Sequence, residues 1–341
     1  MTAPATPLPA ARPERSVPRA GWMVVARKEF ADHILSARFF VLLLILGVVA
    51  AVPLYLTADV IRSDAGNASG GQAIFIALFW YTPPLPVLLN ETTLPSVAGF
   101  FGLVAPLLGL SFGFDAVNGE RSQGTLPRLL SQPIHRDDVI NGKFAAGLTV
   151  IGIVIVAVVG FIAAFGILRL GVAPTAAELL RIVLWVVVTI VYVALWLAFG
   201  MLLSVVIRRA ATSALVGFGV WFAVTFFGGL ITGIVGSMFA PLSGSDAEIL
   251  KNNSVQETLS RLRPDILYAE ASRALLSPQV SSVSTPATVG SYEQASQRIP
   301  SLLSLDQSFI LVWPQVVALV ALTVACFAIA YVRFMRQEVR A

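Results

Sequence analysis

The sequence predicts an all-α integral membrane protein of six transmembrane helices, preceded by an amphipathic helix at the cytoplasmic surface. Three observations carry that prediction. Of 341 residues, 57% are hydrophobic and only 12% charged, against about 25% charged in a soluble domain. Six apolar runs approach or exceed the roughly 20 residues that cross a bilayer as helix. Basic residues gather on alternate connections, the pattern that sets orientation in membranes.

Residues 1–20 are rich in proline, alanine and arginine and read as a disordered cytoplasmic tail. The first long apolar run begins only near Phe39, too late for a cleaved secretory signal. Ahead of it, "WMVVARKEFADHILSARFF" (22–40) places Trp22, Met23, Ala26, Phe30, Ile34 and Ala37 on one stripe at helical spacing. Lys28, Glu29, Asp32 and Ser36 lie opposite, interrupted by Val25. That pattern suits a helix at the membrane interface. A plain extension of the first span into water is the alternative.

The six spans are expected near 39–57, 96–114, 144–168, 181–206, 212–239 and 309–332, within one unit covering 21–341. The run "AIFIALFWYTPPLPVLL" (73–89) is nearly long enough for a seventh, but Pro83, Pro84 and Pro86 break a helix there. It is expected to lie at the outer membrane surface, within an outer segment covering 58–95. The second outer segment, 240–308, is polar and serine-rich. Inside it "PDILYAEASRALL" (264–276) has helical spacing and opens on a proline suited to a first turn. With six spans and the N-terminus inside, fifteen of the 23 Lys/Arg fall on the cytoplasmic pieces. Both termini are therefore expected in the cytoplasm. Spanning 73–89 would move Arg208 and Arg209 outside.

Several chemistries are missing. No G-x-x-x-x-G-K-[ST] loop is present; "DVINGKF" (138–144) has Gly-Lys without the upstream glycine or the following hydroxyl. ATP hydrolysis is therefore not expected on this chain. The single cysteine, Cys326, lies in an apolar run and reads as a small buried hydrophobe. His33 and His135 stand far apart without a metal-ligand cluster. No paired acids stand inside a span, as proton-coupled transport normally requires. Thr189, Thr225 and Gln315 are polar within spans, which hydrogen bonding between helices explains. No catalytic, cofactor or metal residue is assigned, and nothing points to nucleic acid.

What remains is the polar island between the second and third spans, "GFDAVNGERSQGTLPRLLSQPIHRDDVINGKFAAG" (113–147). Glu120 to Gly124 reads as a turn. Thr125 can cap a short helix that tolerates Pro127 in its first turn, and Leu126, Leu129 and Leu130 make an apolar face. Ser131, Gln132 and Pro133 end it. A second helix starts around Arg136–Asp138, where two acids suit the positive helix end. An ordinary connector has no reason to present three leucines to water between two turns.

These residues carry a family resemblance. Gly119-Glu120-Arg121, Gly124-Thr125-Leu126, Leu129-Leu130-Ser131, Pro133, Arg136 and Gly142-Lys143 resemble the segment between spans two and three of type-2 ABC transporter permeases. The likeness is closest to the gliding-motility and nitrous-oxide-reductase-maturation subgroup. It extends to the six spans, the leading amphipathic helix, "RRAATSAL" (208–215) and "FMRQE" (334–338). Pro127 departs from it, since the family often has a basic or polar residue there.

The resemblance implies a coupling helix seated in a groove of a separate ATP-binding cassette subunit, present in two copies, which holds the ATP and Mg. Each docked leucine would contribute about 1.5–3 kcal/mol if fully desolvated. Glu120 and Arg121 would form a polar rim. The leading helix, with Trp22, Phe30 and Ile34, would be the family's elbow helix. The permease would pair with a second copy, and "GLSFG" (109–113) and "GLITG" (229–233) fit the close-approach pattern, although packing within one subunit explains them equally. Two functions follow in different classes. One is an ATP-driven exporter in the cell membrane. The other is mechanical transmission, in which the outer segments drive an extracytoplasmic partner and no solute crosses. An intramembrane enzyme lacks the constellations it would need.

Overall fold

The computed structural model describes residues 21–67, 74–83, 94–124, 134–171, 173–239, 246–277 and 305–337. Among them there is no strand, and six helices are long and apolar enough to cross a membrane: Ala37–Arg62, Val97–Ser122, Arg136–Leu170, Ala176–Val206, Ala210–Phe239 and Asp306–Arg336. Five cover their expected apolar runs and continue past at one or both ends; the second begins one residue late, at Val97, because Ser96 is its cap. The tail 1–20 and the island's residues 125–133, with Thr125, Leu126, Leu129, Leu130, Ser131 and Pro133, lie outside the described residues.

The helices in order are α1 (Gly21–Ile34), α2 (Ala37–Asn67), α3 (Ile74–Trp80), α4 (Val97–Gly113), α5 (Asn118–Ser122), α6 (Arg136–Leu170), α7 (Ala176–Val206) and α8 (Ala210–Phe222). A π-helical turn, Ala223–Phe227, joins α8 to α9 (Gly228–Phe239). Then come α10 (Asp246–Ser260), α11 (Pro264–Leu276) and α12 (Leu305–Arg336). The end of the bundle holding Ser122, Arg136, Val206 and Arg336 is the island end; the other is the far end.

The fourth span, α7, is the central post. Its start is fixed by a capping box, in which Thr175 and Glu178 satisfy each other's backbone N–H groups. The second span lies along it at glycine contacts. A Cβ on Gly109 would stand 2.6 Å from the Val193 carbonyl oxygen, and one on Gly113 2.7 Å from that of Leu197. The G-x-x-x-G of the second span thus serves packing inside the protomer. Gly233, in the matching pattern of the fifth span, has nothing near it. That span is 11% buried, against 61% for the fourth.

Two segments differ from expectation. The 73–89 run does form a helix that stops at Trp80, short of its prolines. Instead of spreading on a surface, α3 is driven into the bundle: Phe75, Ile76, Leu78 and Phe79 are all buried. Its Phe75 N–H donates to Glu178 at 3.0 Å, so one carboxylate caps both α7 and α3.

The second concerns 240–308. Helix α11 is present as expected, with proline at its start, but α10 and α11 form a hairpin that turns back along the spans. Helix α10 follows α9: a Cβ on Gly236 would meet Gln256, and one on Gly228 would meet Arg263. Helix α11 follows α7: Leu275 O accepts from Arg181, Ser272 Oγ from Trp185, and the Tyr268 hydroxyl meets Thr189 Oγ1 at 3.2 Å. Tyr268 also stacks on Tyr192, ring centroids 4.5 Å apart. Residues 189 and 192 bracket the middle of the 31-residue α7. The hairpin turn, with Arg261, Arg263 and Asp265, therefore sits halfway along the spans. Its charges are matched locally: Arg261 with Glu257 and Glu270, Arg263 with Asp265. Gln315 of α12 donates to Glu270 at 2.9 Å.

Replacing Gly113 with valine forces a side chain into the α7 backbone. A loss of about 1–3 kcal/mol is expected, read as a lower midpoint of thermal unfolding in detergent, whereas Gly233→Ala leaves it unchanged.

Candidate functional site: a junction at the island end

The island leaves and rejoins the bundle through one polar knot. Its centre is Lys143, in the second turn of α6, with only 4% of its side chain exposed. Lys143 Nζ reaches Glu120 Oε1 of α5 at 2.8 Å and Glu29 Oε1 of α1 at 3.0 Å. An ammonium so enclosed is tolerated only when paired, and here the pairs join three helices. Lys28 adds a bond to Glu29 at 3.1 Å and to Asp32 at 3.2 Å. Burial by itself would raise the Glu29 carboxyl; attraction and hydrogen bonds from Lys143, then Lys28, outweigh it and hold the pKa below 4.5.

The residue before Lys143 explains why Gly-Lys occurs as a pair. A Cβ on Gly142 would lie 2.7 Å from Trp22 O and from Val25 Cβ, so α1 crosses α6 at a bare glycine and lands its glutamate on the next residue. Asp138, in the first turn of α6, accepts from the Trp22 backbone N–H at 2.9 Å and from His135 N–H at 3.3 Å. One carboxylate thus caps α6 and ties down the start of α1.

Helix α5 is fastened from the other side. Its leading N–H groups, on Val117 and Asn118, donate to Ser204 Oγ at 2.9 and 3.1 Å, and Asn118 Nδ2 donates to Ile207 O. Arg121 donates to the Gln337 side chain, and Arg136 to Gln337 O at 2.8 Å with its guanidinium over the Phe334 ring. Gln337 Nε2 in turn reaches Val205 O at 2.7 Å. Nearby, Arg38 forms a fork with Asp115 and donates to Ser111 O, locking the first span to the second. Gly124 follows with φ 67°, a left-handed residue that glycine adopts freely.

The sequence-predicted residues fall here unevenly. Glu120 and Arg121 are turned toward Lys143 and Gln337 within the chain, and Gly124 is the last described residue before the leucines. Phe30 and Ile34 are half-buried against the core, while Trp22 is 38% exposed. The fully buried residues of α1 are Val25 and Glu29, while Trp22 and Met23, at the start of the apolar stripe, stay exposed. Lys143, Glu29, Asp138, Ser204 and Gln337 were not singled out as site residues. A buried lysine is visible in sequence only as part of Gly142-Lys143, and its partners lie far apart in the chain. Among the described residues, no three of His, Cys, Asp or Glu cluster to hold a metal.

Residues 23–339 match the family model described as ABC-2 family transporter protein. The chain belongs to the ABC-2 transporter family. It is similar to the probable ABC transporter permease protein NosY of Stutzerimonas stutzeri, 25% identical over 204 residues. That match covers 58% of this chain and 64% of the relative, just under two thirds of its length. The ABC-2 chain is thus a multi-pass membrane subunit of the permease type, and the island stands where two spans of the permease are knotted to four other helices.

Breaking the central pair by Lys143→Ala leaves two carboxylates facing each other, with an expected cost of about 3–5 kcal/mol. Adding Glu29→Gln to Lys143→Met restores part of it, read as non-additive unfolding midpoints. Acid acts on the same contacts. Burial holds the His33 imidazole below 6.5, with Glu29 and Asp115 partly opposing that and Lys143 and Arg38 reinforcing it. Its contribution is complete above pH 6.5 and lost as pH falls toward the depressed value. The Glu29 contribution is complete above pH 4.5 and fades below. Trp22 fluorescence during acid titration should show both steps, and Glu29→Gln should remove the lower one.

Proposed function

We propose that this permease is the membrane-spanning subunit of an ATP-driven exporter, worked by a separate ATP-binding cassette subunit that grips residues 119–136. One observation carries the proposal: Glu120, Arg121 and Arg136 of that segment are bonded to Lys143 of α6 and to the end of α12, and the flanking Val117 and Lys143 are bonded to α7 and α1, so a push on it moves three spans and the leading helix together. The island end faces the cytoplasm, as the basic residues there require, with both termini inside the cell membrane's cytoplasmic face. Two cassettes supply ATP and Mg, and a second copy of the permease covers the thinly buried fifth span. Helix α1 acts as the elbow, held to α6 at Gly142 and Lys143. The leucines at 126, 129 and 130 fill the cassette's groove, and rigid spans convert cassette closure into tilting.

In vesicles carrying permease and cassette, replacing Leu129 and Leu130 with aspartate should abolish transport while insertion and basal ATPase persist. A Leu129→Cys variant lacking Cys326 should react with an impermeant maleimide in inside-out vesicles alone. Reaction only from the outer side, or normal transport by the double aspartate variant, overturns the proposal.

A further inference from the structure

The hairpin of α10 and α11 presents a physical problem that the coupling mechanism does not solve. Ten of the fifteen residues of helix α10 are polar or charged, yet it runs from the far end to the middle of the bundle. The hydroxyls of Ser254 and Thr258 bond to carbonyls of their own helix, but Lys251 and the Arg261–Glu257 pair put exposed charge at this depth, which hydrocarbon tolerates only at high cost. The pattern of exposure is specific. From Lys251 to Arg261 the exposed residues are Lys251, Ser254, Thr258 and Arg261. Their spacing of three, four and three is one helical stripe, and every member is polar. Asn252, on another side of α10, is buried. Past the stripe comes Leu262, 75% exposed at the turn; the next residue, Arg263, lies against Gly228, about 16 Å below the end of α9 at 1.5 Å per residue.

The hairpin is firmly placed. Helix α11 is sealed against α7 by Tyr268, Ser272 and Leu275, and the turn is braced by Arg261 on Glu270 and Gln315 on the same carboxylate. The stripe therefore belongs to the packed structure and keeps its outlook. Among the described residues, the open surface of the spans carries large apolar side chains, as at Val156, Phe161, Leu230 and Ile231.

We infer that the Lys251–Ser254–Thr258–Arg261 stripe lines a water-filled vestibule that opens at the far end and reaches halfway through the membrane, with Leu262 at its floor. The vestibule takes hydrated, hydrogen-bonding groups: a polar solute, or the polar head of an amphiphile whose hydrocarbon remains on the spans. This rests on the orientation proposed above, which makes the far end the outer side.

The test is labelling of single cysteines with a charged, membrane-impermeant methanethiosulfonate, in intact permease carrying Cys326→Ala. Lys251→Cys, Ser254→Cys, Thr258→Cys and Leu262→Cys should all react from the outer side. Asn252→Cys, which is buried, and Val156→Cys, which faces hydrocarbon, should not. Thr258→Cys and Leu262→Cys decide, because neither breaks an ion pair of the turn. If both are silent from either side, or form a disulfide between two copies, the stripe is covered and the vestibule is refuted. If the whole stripe reacts only in inside-out vesicles, the orientation fails and the outer vestibule with it. Inorganic phosphate or free glycerol headgroups added at high concentration should slow labelling at 258 if polar groups enter; hydrocarbon alone slowing it would reverse the ligand class.

Discussion

The island end depends on a single enclosed ammonium. Lys143 is almost wholly enclosed, 4% exposed, and so cannot be left alone; its two carboxylates come from α1 and α5, which it joins to α6. Remove the charge and Glu29 and Glu120 repel, while α1 keeps only its crossing at Gly142 and its tie to Asp138. Much of the geometry of the junction is thus a consequence of neutralising one cation in a medium where isolated charge is expensive. Such a pair adds little to net stability compared with a hydrophobic substitute, but it is directional, and it fixes which helices meet.

A second set of bonds converts that joint into a bracket. Ser204, Val205 and Ile207 receive α5 and Gln337 at the end of the fourth span, and Arg136 holds the end of the sixth against the start of the third. The fourth span is the best-buried helix, so the segment is fixed to the part of the molecule least able to yield. The fifth span has few such ties. The island's ends are thus tied to the packed body, and the fifth span lies against the hairpin alongside it.

How far this was legible in the sequence differs from element to element. The six spans follow from hydrophobic length alone, and α11 from its proline and periodicity. The polar island stood out because leucines and charges were out of place between spans. The seat of α1 on α6 was not legible, since the apolar stripe through Trp22 and Met23 says nothing of the opposite face; a buried Glu29 is predicted only by knowing that Lys143 waits beneath it, 114 residues away. Nor was the descent of α10 and α11. A polar segment of that length reads as an outer loop because its charges are visible in sequence and their mutual neutralisation is not. Glu178, serving two helix starts, was hidden for the same reason: Phe75 lies 103 positions from it.

The π turn at Ala223–Phe227 gives the fifth span two separate phases. A widened turn slips the helical count, and each residue of slip swings every later side chain by about 100° around the axis. Gly217 below it nestles against Leu110 and Leu203, while Gly228 above it backs onto Arg263. The lower half is thereby aligned with the body and the upper half with the hairpin, so the defect acts as a swivel that lets one continuous rod serve two differently facing neighbours.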